Sequence, residues 1–398
     1  TPANWTEVRT ALIKESKSGF MHTAVSVLTP LNIKAEGGVP AGLRSKEGYD
    51  TRTTNLIKTT NYILGADGEK SDPVVSFRGG QFPTKEAAKE AILTIMENLP
   101  QDQKMEFMHI NTLLTPTAVT AIKEDKHLLA AHKQSVQDAL SELIDEADGE
   151  KKATLQKLKD NVGMSNSGVN EGAVGELKFL GIRIKLGWHT SIADYTNDAS
   201  QKLNKAVFSK LESMSAKTEG EEGLDGLVGD LDRLSAMLQV GQELEAVYAN
   251  NDYADARVGD NQFKMAALWK TMDVLIGVPC YTNCMSGKDR TGKVESNAHE
   301  YLDEITMNIA DHKRELSKEF QKLKGELPPE LQLAWEQQEK VLTAACFKTK
   351  DLEVLHSTLK KLGSEGFDLV VSGAVQHKIA AVKEGLGMKE GPQGFMIE

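Results

Sequence analysis

The sequence predicts a helix-rich α/β or α+β fold with a strand–loop–helix unit at its centre. Three observations carry that expectation. Apolar residues recur three and four positions apart over long stretches, as on one face of a helix. Short runs rich in Val, Ile, Thr and Tyr occur near the N-terminus and again just before residue 284. Between the last of these runs and a helical stretch lies a tight, Gly-punctuated loop.

Taken in order, residues 1–115 look mixed. Ala24–Leu28 and Val74–Phe77 read as strands, and Lys85–Asn98 reads as a helix that ends before Pro100. Ala118–Glu146 is a strong helix former, with Leu128, Leu129, Val136, Leu140 and Leu143 at its apolar positions. A break is expected at Gly149-Glu150, then a short helix over Thr154–Leu158. Residues 216–230 are acidic and Gly-rich, and are expected to be a flexible surface loop. Leu231–Tyr248 and Phe263–Ile276 read as helices, and the second leads through Gly277 into a strand over Cys280–Asn283. Val294, Ala298, Tyr301, Leu302, Ile305 and Ile309 predict a helix from about Thr291. The charged stretch Glu315–Leu323 continues it until Pro328-Pro329 stops it, and the tail Gly385–Glu398 is expected to fray. The chain divides on this reading into a mixed region with a helical arm over 1–160 and a second region over 161–398, packed as one multi-lobed unit. The sheet topology is not readable.

Composition sets outer bounds. At 398 residues the chain is long enough for a large core, and 40% hydrophobic with 26% charged residues is ordinary for a packed globular protein. A net charge of −11 disfavours a general grip on nucleic acid or on an anionic membrane, so any such attraction must be local. Lys151-Lys152 and Lys360-Lys361 read as solvated faces. No apolar run approaches the roughly 20 residues of a membrane span. The three cysteines do not form a disulfide framework, and a reducing compartment suits them. Along an extended strand, Cys280 and Cys284 would stand about 13 Å apart at roughly 3.3 Å per residue, too far to bridge, so Cys280 is expected in the core. His127 and His132, five apart, fall on different helix faces, and no metal-ligand spacing is present.

The residues that carry chemistry are Cys284-Met285-Ser286-Gly287-Lys288-Asp289-Arg290-Thr291. A cysteine followed five residues later by an arginine and a hydroxyl residue has the spacing of a phosphate loop that attacks through sulfur. Backbone N–H groups curl inward around an anion, and a guanidinium forks onto two phosphate oxygens. Electropositive sites of this kind lower a thiol from about 8.5 to roughly 3.5–7.5. The loop sits at the start of a helix, where partial positive charge favours anions, and Gly287 and Gly292 permit tight turns. On this reading Cys284 is the nucleophile, and Arg290 with the loop residues Met285, Ser286, Gly287 and Lys288 holds phosphate. Thr291 assists departure of the sulfur. Asp289 or Asp194 is the acid that protonates the leaving oxygen. As alternatives, Asp194 reads as a turn or cap residue, and Asp289 as an acceptor that orders the loop. Glycines punctuate a second segment, from Gly163 to Gly175, whose residue types favour a capped helix start with Asn170 or Ser167 as cap, while Asn170 and Glu171 also suit hydrogen bonds to a polyol ring.

Asn283 through Gly292 resembles the active-site loop of the SopB/SigD/IpgD phosphoinositide phosphatases, bacterial effectors injected into host cells by type III secretion. Asn166-Ser167-Gly168-Val169-Asn170-Glu171 is similar to that family's upstream motif, and the loop and upstream motif together are shared with inositol polyphosphate 4-phosphatases. Weaker similarity runs from about Trp5 to Val382. The resemblance implies a cysteine-phosphatase-like strand–P-loop–helix centre in a catalytic region over 161–398. It also implies a phosphocysteine intermediate, no cofactor, no metal, and phosphoinositide lipids or soluble inositol polyphosphates as substrates at a host membrane surface. The family's secretion and GTPase-binding region lies upstream of the part matched, so this chain is expected to be a fragment. A host GTPase is expected to bind only through that region. Met285 departs from the family's lysine at this position and removes one cation from the cup. A host-protein binding module with a secondary phosphatase loop, and a protein tyrosine phosphatase, are the alternatives.

Overall fold

A computed structural model describes residues 8–11, 14–15, 21–31, 35–36, 39–40, 56–64, 74–82, 84–100, 105–114, 123–166, 177–179, 182–184, 202, 205–213, 223–250, 261–284, 287, 289–386, 388–391 and 394–397. The fold is helix-rich α/β, with a mixed eight-stranded sheet at its centre. In chain order the strands are β1 (Val8–Ala11), β2 (Lys14–Glu15), β3 (Met21–Pro30), β4 (Ile57–Leu64), β5 (Val74–Gly80), β6 (Met108–Thr112), β7 (Val162–Asn166) and β8 (Cys280–Cys284). The spatial order is β1-β3-β4-β5-β8-β6-β7, with β2 against β3. β1, β3, β4 and β5 pair antiparallel, whereas β5, β8, β6 and β7 are mutually parallel. The last strand in sequence is therefore inserted between two early ones. Strands from both sides of residue 160 share one sheet.

Helices cover both faces of the parallel part, as parallel strands require. On one face lie α1 (Lys85–Glu97), α2 (Lys123–Glu146) and α3 (Gly149–Asn161). Their apolar sides meet Val75, Phe77, Met108, Ile110, Val162, Met164 and Tyr281 in one core. Thr84 caps α1 by accepting the Ala87 N–H. Beyond the other face lie α4 (Gly223–Asn250), α5 (Asn261–Ile276) and α6 (Asp289–Gly325), followed by α7 (Pro329–Gln337), α8 (Glu339–Ala344), α9 (Thr349–Leu362) and α10 (Phe367–Gly385). Their core centres on Trp269, Phe320, Trp335 and Phe367, with Phe320 and Trp335 stacked at 4.6 Å. Among the described residues, no helix is long and apolar enough to cross a membrane.

The structure departs from the sequence reading in three places. Gly223–Asp230, expected within a flexible loop, forms the first turns of the 28-residue α4. Leu224, Leu227, Val228 and Leu231 have helical spacing there, and three glycines disguise it. The break expected at Gly149-Glu150 falls there, between Glu146 and Gly149, but the helix after it is not the short Thr154–Leu158: α3 runs from Gly149 to Asn161. The tail pairs Met388–Gly391 with Gly394–Ile397 as an antiparallel hairpin instead of fraying.

Candidate active site

β8 delivers Cys284 to the carboxyl end of the parallel strands, where its register partner on β5 is Gly80. Ligands of open α/β sheets bind at this end, where the strand order reverses. Alternation along β8 sends Tyr281 to the α1–α2 face, and Cys280, Thr282 and Cys284 to the α5–α6 face. The chain then crosses residues 285–288 and enters α6 at Asp289, two residues before the expected start.

Gly287 makes the crossing possible. Its φ is +72°, and a Cβ there would stand 2.2 Å from the carbonyl carbon of Gly79, so both the conformation and the close approach require glycine. In this position the Gly287 N–H donates to Cys284 Sγ at 3.2 Å. Arg290, half-buried in the first turn of α6, donates from Nη1 to the Leu113 carbonyl at 2.8 Å, just past the end of β6. The Leu113 N–H in turn donates to the Asn283 carbonyl at 2.7 Å. The loop is thus tied to both neighbours of β8. Thr291 is fully buried at the same turn.

The sulfur is more enclosed than an electropositive, partly open cysteine site implies. Cys284 is 2% exposed and packs with Leu113, Phe263, Ala266, Ala267, Val294 and Ala298. The apolar wall is on the helix side, and the described polar donor comes from the loop.

The floor beneath the loop is held from the opposite face. Tyr281 Oη donates to the Gly80 carbonyl at 2.5 Å. The Phe82 N–H donates to His132 Nδ1 at 3.0 Å, and Phe82 stacks between His132 and Tyr281. Burial drives His132 down to about 3, so the ring is neutral and its Nδ1 can accept. Asn283, also fully buried, finds no hydrogen-bond partner among the described residues for either side-chain atom.

Several chemistry-bearing residues escaped the sequence reading. Lys270 of α5, 2% exposed, pairs with Glu295 of α6 at 2.5 Å. Burial pushes the Glu295 carboxyl up, but the charges of Lys270 and Arg78 outweigh it and hold the group below its usual value. Deeper in the sheet, Asp273 Oδ2 lies 2.6 Å from His109 Nδ1, and Ser165 Oγ lies 2.7 Å from His109 Nε2. Ser165 also donates to Asn111 Oδ1, and Asn111 donates to the Ala266 carbonyl. All four side chains are fully buried. The arrangement has the order of a Ser–His–Asp relay, but no substrate can reach it, and its work is to satisfy a polar sheet face under α5. His109, Asp273 and Cys280 converge closely enough to suggest a metal site. Both His109 nitrogens are already engaged, and a 2.6 Å contact to Asp273 is a hydrogen bond, too short for two ligands sharing one ion at about 2 Å each. Burial, reinforced by the Asp273 carboxylate, pushes the Cys280 thiol well up. Cys280 is therefore a core thiol, and all three cysteines are free.

Met285, Ser286, Lys288, Asn170, Glu171 and Asp194 lie outside the described residues, and of Asp289 only the backbone is described. The structure brings together Cys284, Gly287, Arg290 and Thr291. A groove of about 700 Å³ between α2 and α3 is lined by Ser141, Asp145, Lys157 and Lys159, on the other face of the sheet from the Cys284 side chain. The sequence matches no family model and no curated protein.

Proposed function

We propose that the chain is a cysteine-dependent phosphatase of phosphoinositides or inositol polyphosphates. One observation carries the reading: a backbone N–H in a left-handed glycine turn aims at the sulfur of Cys284, at the carboxyl end of a parallel strand and one loop before an arginine-bearing helix turn. That combination supports sulfur as an anion and phosphate as its target.

The Cys284 thiolate attacks phosphorus, a phosphorus–sulfur bond forms, and the bond from phosphorus to the ring oxygen breaks. The departing alkoxide takes a proton from an acid, for which Asp289 and Asp194 are the candidates. Water, or a second ring hydroxyl, then attacks the phosphocysteine and returns sulfur as thiolate. Charge on the equatorial oxygens falls to the loop amides and Arg290. The inositol ring, the host-membrane setting and the effector role rest on the resemblance of the loop and of residues 166–171.

The test is phosphate release from each phosphoinositide isomer, from soluble inositol polyphosphates and from a phosphotyrosine peptide, with and without chelator. Release from an inositol substrate that survives chelation and vanishes in Cys284→Ser is expected. Turnover retained by Cys284→Ser sinks the mechanism, and preference for the peptide sinks the substrate class.

A further inference from the structure

Arg78 stands next to this site without a role in the reading above. It belongs to β5 and leaves the same face as Cys284, since Arg78 registers with Thr282 and Gly80 with Cys284. Two residues along and one strand across place the Arg78 and Cys284 Cα atoms about 8 Å apart, within the reach of an arginine side chain. The guanidinium lies against the first turn of α6, because a Cβ at Gly292 would meet Arg78 Nη1 at 3.1 Å. Arg78 Nε is buried and has no hydrogen-bond partner among the described residues. A buried donor left unpaired is unfavourable, and an anion arriving in the cup would relieve it.

The charges around it do not cancel. Lys270 and Arg78 are two cations, and Glu295 is the anion between them. Among the described side chains, the charged groups that these contacts bring to this end of the sheet are Arg78 of β5, Lys270 and Asp273 of α5, and Arg290 and Glu295 of α6. Asp273 is spent on His109 lower down.

We propose that Arg78 is a positioning residue of the phosphate cup, a second guanidinium that braces the turn carrying Arg290 and leaves net positive charge beneath the sulfur. This rests on the reading of Cys284 as nucleophile. Because Glu295 tempers the charge, its effect on thiolate reactivity is modest, while its effect on phosphate binding adds to it.

The experiment measures alkylation of Cys284 by neutral iodoacetamide at pH 6 and pH 10, with the modified residue located by mass spectrometry. kcat and KM are measured alongside on the best inositol substrate. Arg78→Met is expected to slow alkylation at pH 6 about three- to tenfold, the size of one tempered charge at this range, and to leave it unchanged at pH 10. KM should rise more than kcat falls, and Arg78→Lys should recover alkylation to within about twofold, since charge and not fork geometry acts on sulfur. A folded Arg78→Met protein that alkylates at the wild-type rate at pH 6 overturns the proposal. Should Arg78→Met fail to fold, Glu295→Gln gives the opposite sign, faster alkylation at pH 6, and no acceleration overturns it. If wild-type Cys284 itself reacts at pH 6 no faster than a simple thiol, the nucleophile reading has failed. If it reacts fast and Arg78→Met matches it, only the inference about Arg78 has failed.

Discussion

Cys280 and Cys284 leave the same face of the same strand, one at its start and one at its end, and they meet opposite environments. Both are almost fully buried, so exposure does not separate them. Cys280 sits beside the Asp273 carboxylate in the polar seam under α5, and burial holds it as a neutral thiol. Cys284 has no described carboxylate contact and receives the Gly287 N–H. What distinguishes a candidate nucleophile from a core thiol here is the sign of its polar neighbours, and that sign follows from position along the strand. At the carboxyl end the backbone turns and can present N–H groups. At the start of the strand Cys280 faces the Asp273 carboxylate of α5 instead.

The sharpest way to break this contrast is to exchange each sulfur for oxygen. Cys284→Ser is expected to lower phosphate release by roughly 10³-fold or more. Cys280→Ser should leave kcat/KM within about threefold of wild type in the folded protein. Equal losses in both would show that strand position is not what matters.

Gly287→Ala tests whether the turn itself makes the difference. The left-handed conformation and a Cβ 2.2 Å from rigid Gly79 backbone together are expected to cost roughly 2–4 kcal/mol. Denaturant midpoints measure it, and activity should fall in any protein that remains folded. An unchanged midpoint with full activity would mean that the loop does not use this geometry.

The polar seam beside Cys280 should respond in the other way. Asp273→Asn removes the charge that faces His109 and Cys280 and is expected to destabilise by about 1–3 kcal/mol, read from the same midpoints. Phosphate release per folded molecule should stay within about threefold. Ser165→Ala should leave phosphate release unaltered, because the relay is sealed. A large kcat loss in either variant, with stability intact, would tie the buried network to the chemistry.

What was legible in the sequence follows the same division. The loop could be read because a cysteine, glycine, arginine and hydroxyl residue are close in sequence, and α6 because its apolar stripe is regular. β8 was legible as a strand over Cys280–Asn283 and is one, whereas β6 and β7 were not legible. Met108-His109-Ile110-Asn111-Thr112 and Val162-Gly163-Met164-Ser165-Asn166 alternate like half-solvated strands, yet both of their faces are buried, and the polar face is satisfied by α5. Periodicity reports polarity and not burial, so it cannot anticipate a polar seam. Arg78, Lys270 and Glu295 were invisible for a related reason. They come from β5, α5 and α6, and only the insertion of β8 between β5 and β6 brings them under one loop.

The effect that is smallest at neutral pH, and grows only on acidification, concerns the floor that holds Gly79 and Gly80 against the loop. His132 accepts the Phe82 N–H and is held near 3 by burial, against about 6.5 in the unfolded chain. Between those values the unfolded state binds a proton that the folded state does not, so stability falls as pH drops. At full slope this one group contributes roughly 1.4 kcal/mol per pH unit, and it contributes no pH dependence well above 6.5. His132→Asn keeps an acceptor but cannot titrate. Its unfolding free energy between pH 6.5 and 4 should therefore decline less steeply than that of wild type, by up to that slope. Parallel curves would mean that the ring is not locked neutral, and that the pinned floor beneath Cys284 is looser than the apolar stack of Phe82, Tyr281 and His132 implies.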